Sequence, residues 1–139
     1  MQPNENVRRQ GVASFGADLT LEQADFDHFA EVSGDHNPIH VDPTYAASSR
    51  FGATVSHGML LYSRLRGLIE HCYPGADIES EELVFPAPAF AGELLDMQIS
   101  VIAPPVNNRL ELRTLILRED DQACLEGHCW LQLHPEKIS

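Results

Sequence analysis

The chain has 139 residues, of which 43% are hydrophobic and 22% charged, a globular composition that indicates neither a disordered chain nor a disulfide scaffold. Its 21 acidic and 9 basic residues give a formal charge of −12, which repels nucleic acids and anionic lipids, so we expect neither as a partner. We expect one domain over residues 1–139.

The cysteines and the N-terminus indicate a cytoplasmic protein. Cys72, Cys124 and Cys129 are an odd number without a CxxC pair, which is typical of a reducing compartment. The first ten residues, MQPNENVRRQ, lack the apolar core of a signal peptide, and no window approaches about 18 apolar residues. We therefore expect no membrane partner.

The first helix is predicted to lead into an irregular loop. Thr20 followed by Gln23 is typical of a capping box and predicts a helix over about residues 21–32. Pro38 disfavours helical geometry in the residue before it, so residues 33–40 are expected to form an ordered loop without regular structure.

Two further helices are predicted after this loop. Asp42 followed by proline is typical of the start of a short helix over about residues 43–49. A longer helix is predicted over about residues 57–72, because apolar residues recur there at helical spacing. These residues are Leu61, Leu65, Leu68, Ile69 and Cys72. We expect this to be the main buried helix.

The rest of the chain has the two-residue period of β-strands. Strands are predicted at about residues 12–19, 77–85, 95–101, 109–117 and 123–133. Turn-forming residues separate the last three strands. The sequence therefore predicts an α+β fold in which a mostly antiparallel meander packs on one long helix.

The segment SGDHNPIH, residues 33–40, carries the densest polar chemistry. Asp35 and His40 are five residues apart and could hold one water molecule between a carboxylate and an imidazole, each a potential proton acceptor. The same residues also suit a plain turn in which Asp35 caps backbone amides, which is the commoner role of short polar loops. From these residues alone both interpretations stay open.

The same segment contains weaker candidates. His36 and His40 have a spacing that suits a metal site on a helix, but Pro38 lies between them and His57 is the nearest third ligand, so we predict no metal. Asn37 either orients a ligand through its amide or forms an Asx turn before the proline.

A second informative segment is TVSHGMLL, residues 54–61. Gly58 is expected in the first turn of the long helix, where unpaired amides and the positive end of the helix dipole suit a developing oxyanion. Gly58 could instead only permit close packing. We interpret His57 as a hydrogen-bonding residue at the helix end without a chemical role.

The two segments together resemble the signature of MaoC-like dehydratases, a family that includes (R)-specific enoyl-CoA hydratases. The similarity lies in FAEVSGDHNPIHVDPTYAA followed by FGATVSHGMLL, with Gly58 eighteen residues after His40. The resemblance implies the family's hot-dog fold, in which an antiparallel sheet wraps one long helix. It also implies a homodimer formed through a strand edge.

The resemblance also implies a function and a set of site residues. Asp35 and His40 would be the catalytic dyad, Asn37 would support the site, and the Gly58 N–H would face the thioester oxygen. The reaction would be hydration of 2-enoyl thioesters or dehydration of 3-hydroxyacyl thioesters, carried on CoA or acyl carrier protein, without metal or redox cofactor. A hot-dog thioesterase and a non-catalytic thioester-binding module are the alternatives.

The sequence departs from the expected pattern on the long helix. Small or apolar residues lining an acyl tunnel are expected there, but the chain has Tyr62, Arg64 and Arg66. If Tyr62 or Arg66 lies in the substrate pocket, a short, polar or carboxylated acyl group is implied. If both face solvent or a partner, they carry no information about the substrate.

Overall fold

The fold is described here for residues 14–137, from a computed structural model. Its elements, in chain order, are β1 (Ser14–Thr20), α1 (Gln23–Ser33), α2 (Pro38–Val41), α3 (Pro43–Ala47), α4 (Gly58–Cys72), β2 (Asp77–Val84), β3 (Leu94–Val101), β4 (Arg109–Leu117), β5 (Ala123–Gln132) and a final 3₁₀ turn (Pro135–Lys137). The predicted first strand began at residue 12, and its first two residues lie outside the described range.

The strands form one antiparallel sheet in the order β1-β3-β4-β5-β2. The predicted meander is correct for β3, β4 and β5, which follow one another in the sheet. β2 pairs with β5 instead of β3, because the connection over residues 85–93 crosses to the far side of the sheet. β1 and β2 are therefore the two edge strands.

The apolar face of α4 packs against this sheet, as the helical spacing predicts. Its buried residues are Leu60, Leu61, Leu65, Leu68 and Ile69. They join one core with inward-facing strand residues such as Met97, Leu112 and Ile116. Burial of each such side chain contributes roughly 1.5–3 kcal/mol, so packing fixes the position of α4. Within residues 14–137, no helix is both long and apolar enough to cross a bilayer.

Helix α1 begins later than predicted because a different pair of side chains caps it. The N-cap is Glu22, whose backbone N–H donates to Oδ2 of Asp25 at 2.8 Å, while the Glu22 side chain accepts from the Asp25 backbone. This reciprocal acidic pair replaces the predicted box of Thr20 and Gln23. Gly34, with φ at 81°, ends the helix in the left-handed conformation.

The loop predicted over residues 33–40 is irregular only over residues 34–37. The next four residues form the short helix α2, which begins at Pro38. Proline disfavours the interior of a helix but is well suited to its first position. Asn37 is its N-cap, and its side-chain Oδ1 accepts from the backbone of Ile39 at 3.2 Å. His40 therefore lies on a helical turn, whereas Asp35 lies in the irregular segment.

Candidate active site

His40 is held in the interior by the backbone of Val55. The His40 side chain is mostly buried, and its Nδ1 lies 2.8 Å from the carbonyl oxygen of Val55. The N–H of Val55 in turn donates to the carbonyl of Ile39 at 2.9 Å. Because a carbonyl only accepts, Nδ1 carries the proton and Nε2 is left with a free lone pair in the neutral imidazole.

Asp35 faces that free lone pair. Its Oδ2 lies 3.8 Å from Nε2 of His40, and its Oδ1 accepts from the backbone of Asn37 at 3.2 Å. A separation of 3.8 Å is too long for a direct hydrogen bond but suits one water molecule that contacts both groups. The two residues that the sequence singled out are therefore brought together.

His57 takes a larger part in this arrangement than the sequence indicated. Its Nε2 donates to the backbone carbonyl of Asp35 at 2.9 Å, and its ring stacks on His40 with centroids 3.8 Å apart. Burial, the largest effect, lowers the pKa of His57 and so favours its neutral form. His57 thus supports both members of the pair, a contact that no sequence spacing reveals.

Asp35, His40 and His57 also bring three potential metal-ligand atoms within 4.8 Å of one another. The imidazole rings, however, are stacked at 25° to each other, so their in-plane lone pairs lie side by side and do not converge on a point. One nitrogen of each ring also faces a backbone carbonyl. The geometry favours proton transfer over metal coordination.

The N-terminus of α4 lies beside the histidines. Gly58 is the first residue of the helix, and the N-cap His57 makes no side-chain hydrogen bond to the first turn. First-turn amides have no acceptor within a helix, so the Gly58 N–H is available to a ligand oxygen. A Cβ built on Gly58 would lie 3.0 Å from three ring carbons of Phe85, so this aromatic ring closely covers the helix end.

His40 and Gly58 line one cavity of about 250 Å³. Most of its other lining residues are apolar: Ile39, Phe51, Val55, Leu61, Phe85, Pro86, Ala87, Pro88 and Ala89. An apolar pocket with a few polar groups on one side is typical of a small-molecule site. The cavity can therefore hold an acyl group against an imidazole and a helix N-terminus.

Tyr62 and Arg66 do not line this cavity. They lie beside Glu81 of β2, a partly buried carboxylate that also contacts the thiol of Cys129. Burial raises the pKa of Glu81 to about 7, and it also raises the pKa of Tyr62. Their assignment to a substrate pocket stays a prediction.

The raised pKa of Glu81 predicts a pH-dependent stability. The folded state binds the proton of Glu81 more tightly than the unfolded state does. The contribution of Glu81 to the free energy of unfolding is therefore fully present below pH 4.5 and is lost as the pH rises through about 7. Glu81→Gln should therefore raise the free energy of unfolding at pH 8 by about 1–2 kcal/mol, a figure reduced for partial exposure, and by little at pH 5. Denaturant unfolding at both pH values measures this.

The exposed neighbour Glu82 provides the matched control, since Glu82→Gln makes the same change on the outer side of β2. It should leave the pH dependence as in the wild type. Equal stability of Glu81→Gln and wild type at both pH values would contradict the role given to the buried carboxyl.

Comparison with known proteins places these residues in a family context. Residues 7–113 match the profile of the family described as MaoC like domain. The (R)-specific enoyl-CoA hydratase of Aeromonas caviae is 38% identical over 77 residues, which cover 54% of this chain and 58% of that protein. The 3-hydroxybutyryl-CoA dehydratase of Methylorubrum extorquens is 29% identical over 125 residues, covering 84% and 75% of the two chains. In the first alignment the chain thus spans less than two thirds of its relative.

A solved structure shares the fold. The (R)-hydratase from A. caviae involved in PHA biosynthesis superposes with a TM-score of 0.83 at 28% identity, covering 88% of this chain and 96% of that one. This likeness confirms the prediction of an α+β hot-dog fold. Because the family profile matches more than half of the sequence, the chain belongs to the family of MaoC-like domains.

Proposed function

We propose that this protein adds water to 2-enoyl thioesters, or removes it from 3-hydroxyacyl thioesters. The observation that carries the proposal is the position of His40, which lies 3.8 Å from Asp35 and lines one apolar cavity together with Gly58 at the N-terminus of α4. The relatives named hydratase and dehydratase support the same reaction. CoA is the preferred carrier in this proposal, since both of those names specify it.

The residues would act in the following way. A water molecule held between Asp35 and His40 attacks C3 of the enoyl group, and one of its protons passes to this pair. The double-bond electrons move toward C2 and the carbonyl, so negative charge collects on the thioester oxygen. The Gly58 N–H stabilises that charge. A proton returned to C2 completes the 3-hydroxyacyl thioester, and dehydration is the reverse.

The test uses trans-2-enoyl-CoA substrates of several chain lengths. Hydration removes the conjugated double bond, so the absorbance of the enoyl thioester should fall and a product heavier by one water should appear by mass spectrometry. We expect the 3R product, because one relative is named an (R)-specific hydratase. Release of free thiol would indicate a thioesterase instead, and tight binding without product would indicate a binding module.

We also propose a homodimer formed through the edge of β2 that has no neighbouring strand among the described residues. Val84 and Phe85 at the end of this edge strand are exposed, and Phe85 covers the helix end at the candidate site. Pairing two β2 edges would cover these apolar side chains and satisfy the unpaired backbone groups. Light scattering should give twice the chain mass of 15.4 kDa, and a monomeric mass at micromolar concentration would contradict the proposal. A cytoplasmic location is consistent with the odd number of cysteines and the lack of a CxxC pair in the sequence.

A further inference from the structure

Among the described residues, Arg50 is the one arginine or lysine that lines the cavity shared by His40 and Gly58. It lies between α3 and α4, is exposed, and its Cζ is 4.6 Å from the ring centroid of Phe51. Stacking on an aromatic ring orients a guanidinium without neutralising its charge. The donors of Arg50 are therefore held in place at the cavity and remain available.

Arg50 differs from three of the other arginines in having no ion pair among the described residues. Arg64, Arg109 and Arg118 each contact a carboxylate. In the described part of the chain, no carboxylate pairs with Arg50 or Arg113, and Arg113 lies in a different hollow on β4 and β5. In a chain with a charge of −12, an unpaired guanidinium at the candidate site requires an explanation.

We propose that Arg50 binds a phosphate of the carrier that bears the thioester, an inference that rests on the function proposed above. Acyl thioesters in metabolism are carried on phosphopantetheine, an arm with the sulfur at one end and a phosphate at the other. Arg50 and Phe51 line the same cavity as Gly58, so an arm whose thioester carbonyl lies at Gly58 can extend past the guanidinium. A guanidinium suits this anion because it donates two parallel hydrogen bonds to phosphate oxygens.

Electrostatics explain why a cation is needed at this place. The net charge repels a polyanionic substrate at long range, so binding requires a local positive group where the anion rests. Pro86, Ala87, Pro88 and Ala89 of the lining bring no charge. Arg50 supplies that group beside the pantetheine path.

The test compares Arg50→Gln with wild type on crotonyl thioesters that differ only in phosphate. The substrates are crotonyl-CoA, crotonyl-4′-phosphopantetheine and crotonyl-pantetheine. For crotonyl-CoA the variant should have a KM raised by about tenfold and an unchanged kcat, the size expected for one charged hydrogen-bonding group. For crotonyl-pantetheine, which has no phosphate, wild type and variant should have the same kinetics.

Crotonyl-4′-phosphopantetheine distinguishes between the two phosphates that Arg50 could bind. A tenfold effect that persists with crotonyl-4′-phosphopantetheine assigns Arg50 to the phosphate that CoA shares with acyl carrier protein. An effect confined to crotonyl-CoA assigns it to the phosphates that only CoA carries. Arg113→Gln removes one unpaired positive charge outside the cavity and should leave the KM of all three substrates unchanged, which controls for net charge.

Equal losses with crotonyl-CoA and crotonyl-pantetheine, or no loss with either, would overturn the proposal. A calorimetric titration tests phosphate binding without catalysis. Wild type should bind CoA about tenfold more tightly than pantetheine, and Arg50→Gln should abolish this difference. If wild type turns over no thioester, the proposed reaction fails, yet this titration still decides whether Arg50 binds phosphate.

Discussion

Asp35→Asn and His40→Ala should each lower kcat for enoyl-CoA hydration by about 10²–10⁴-fold, the usual contribution of a positioned proton-transfer group. Asparagine keeps the shape of the Asp35 side chain but accepts no proton from the water that the pair holds. Alanine removes the free Nε2 of His40, which the Val55 carbonyl orients through Nδ1. Steady-state assays at saturating substrate measure both effects.

Controls for this prediction come from the same segment. His36 is exposed and does not line the cavity shared by His40 and Gly58, so His36→Ala should keep wild-type kcat. Asp35 is also exposed, and Asp35→Asn should leave the melting temperature nearly unchanged. If both dyad variants kept wild-type turnover while remaining folded, the assignment of Asp35 and His40 would be wrong.

The sequence predicted the elements because their signals are local. Alternation over β3, β4 and β5 and the helical spacing of α4 each lie within one element, so the five strands and the buried helix were found. Asp35 and His40 were paired for the same reason, since only four residues, one of them a proline, lie between them. The position of β2 at the sheet edge was not predicted, because it depends on the long crossing connection.

The contacts that complete the site are between distant segments. Val55 forms a β-bridge with Phe90, and its carbonyl accepts a hydrogen bond from Nδ1 of His40. These two contacts bring the start of α4 against α2. That docking places the His57 ring on His40 and the Phe85 ring on Gly58. Periodicity and capping signals carry no information on such packing, so His57 was assigned only a role at the helix end.

Gly58→Pro should lower kcat for hydration by about 10²–10³-fold while leaving the helix intact. The substitution removes the N–H that faces the thioester oxygen in the proposed reaction, and loss of one such donor has an effect of this size. Proline suits this position because Gly58 is the first residue of α4, whose N–H makes no helical bond. His57 before it has φ −60° and ψ 140°, a conformation that residues before proline adopt. Circular dichroism should therefore show unchanged helix content.

Gly58→Ala separates the lost donor from the added bulk. Alanine keeps the N–H and adds the same Cβ, which would meet the Phe85 ring at 3.0 Å. Both substitutions are best compared in a Phe85→Ala background, where that contact is removed and only the donor differs. There Gly58→Pro should remain about 100-fold slower than Gly58→Ala. Equal rates would mean that the backbone of Gly58 does not stabilise the oxyanion, and that this glycine serves only to admit the aromatic ring against the helix end.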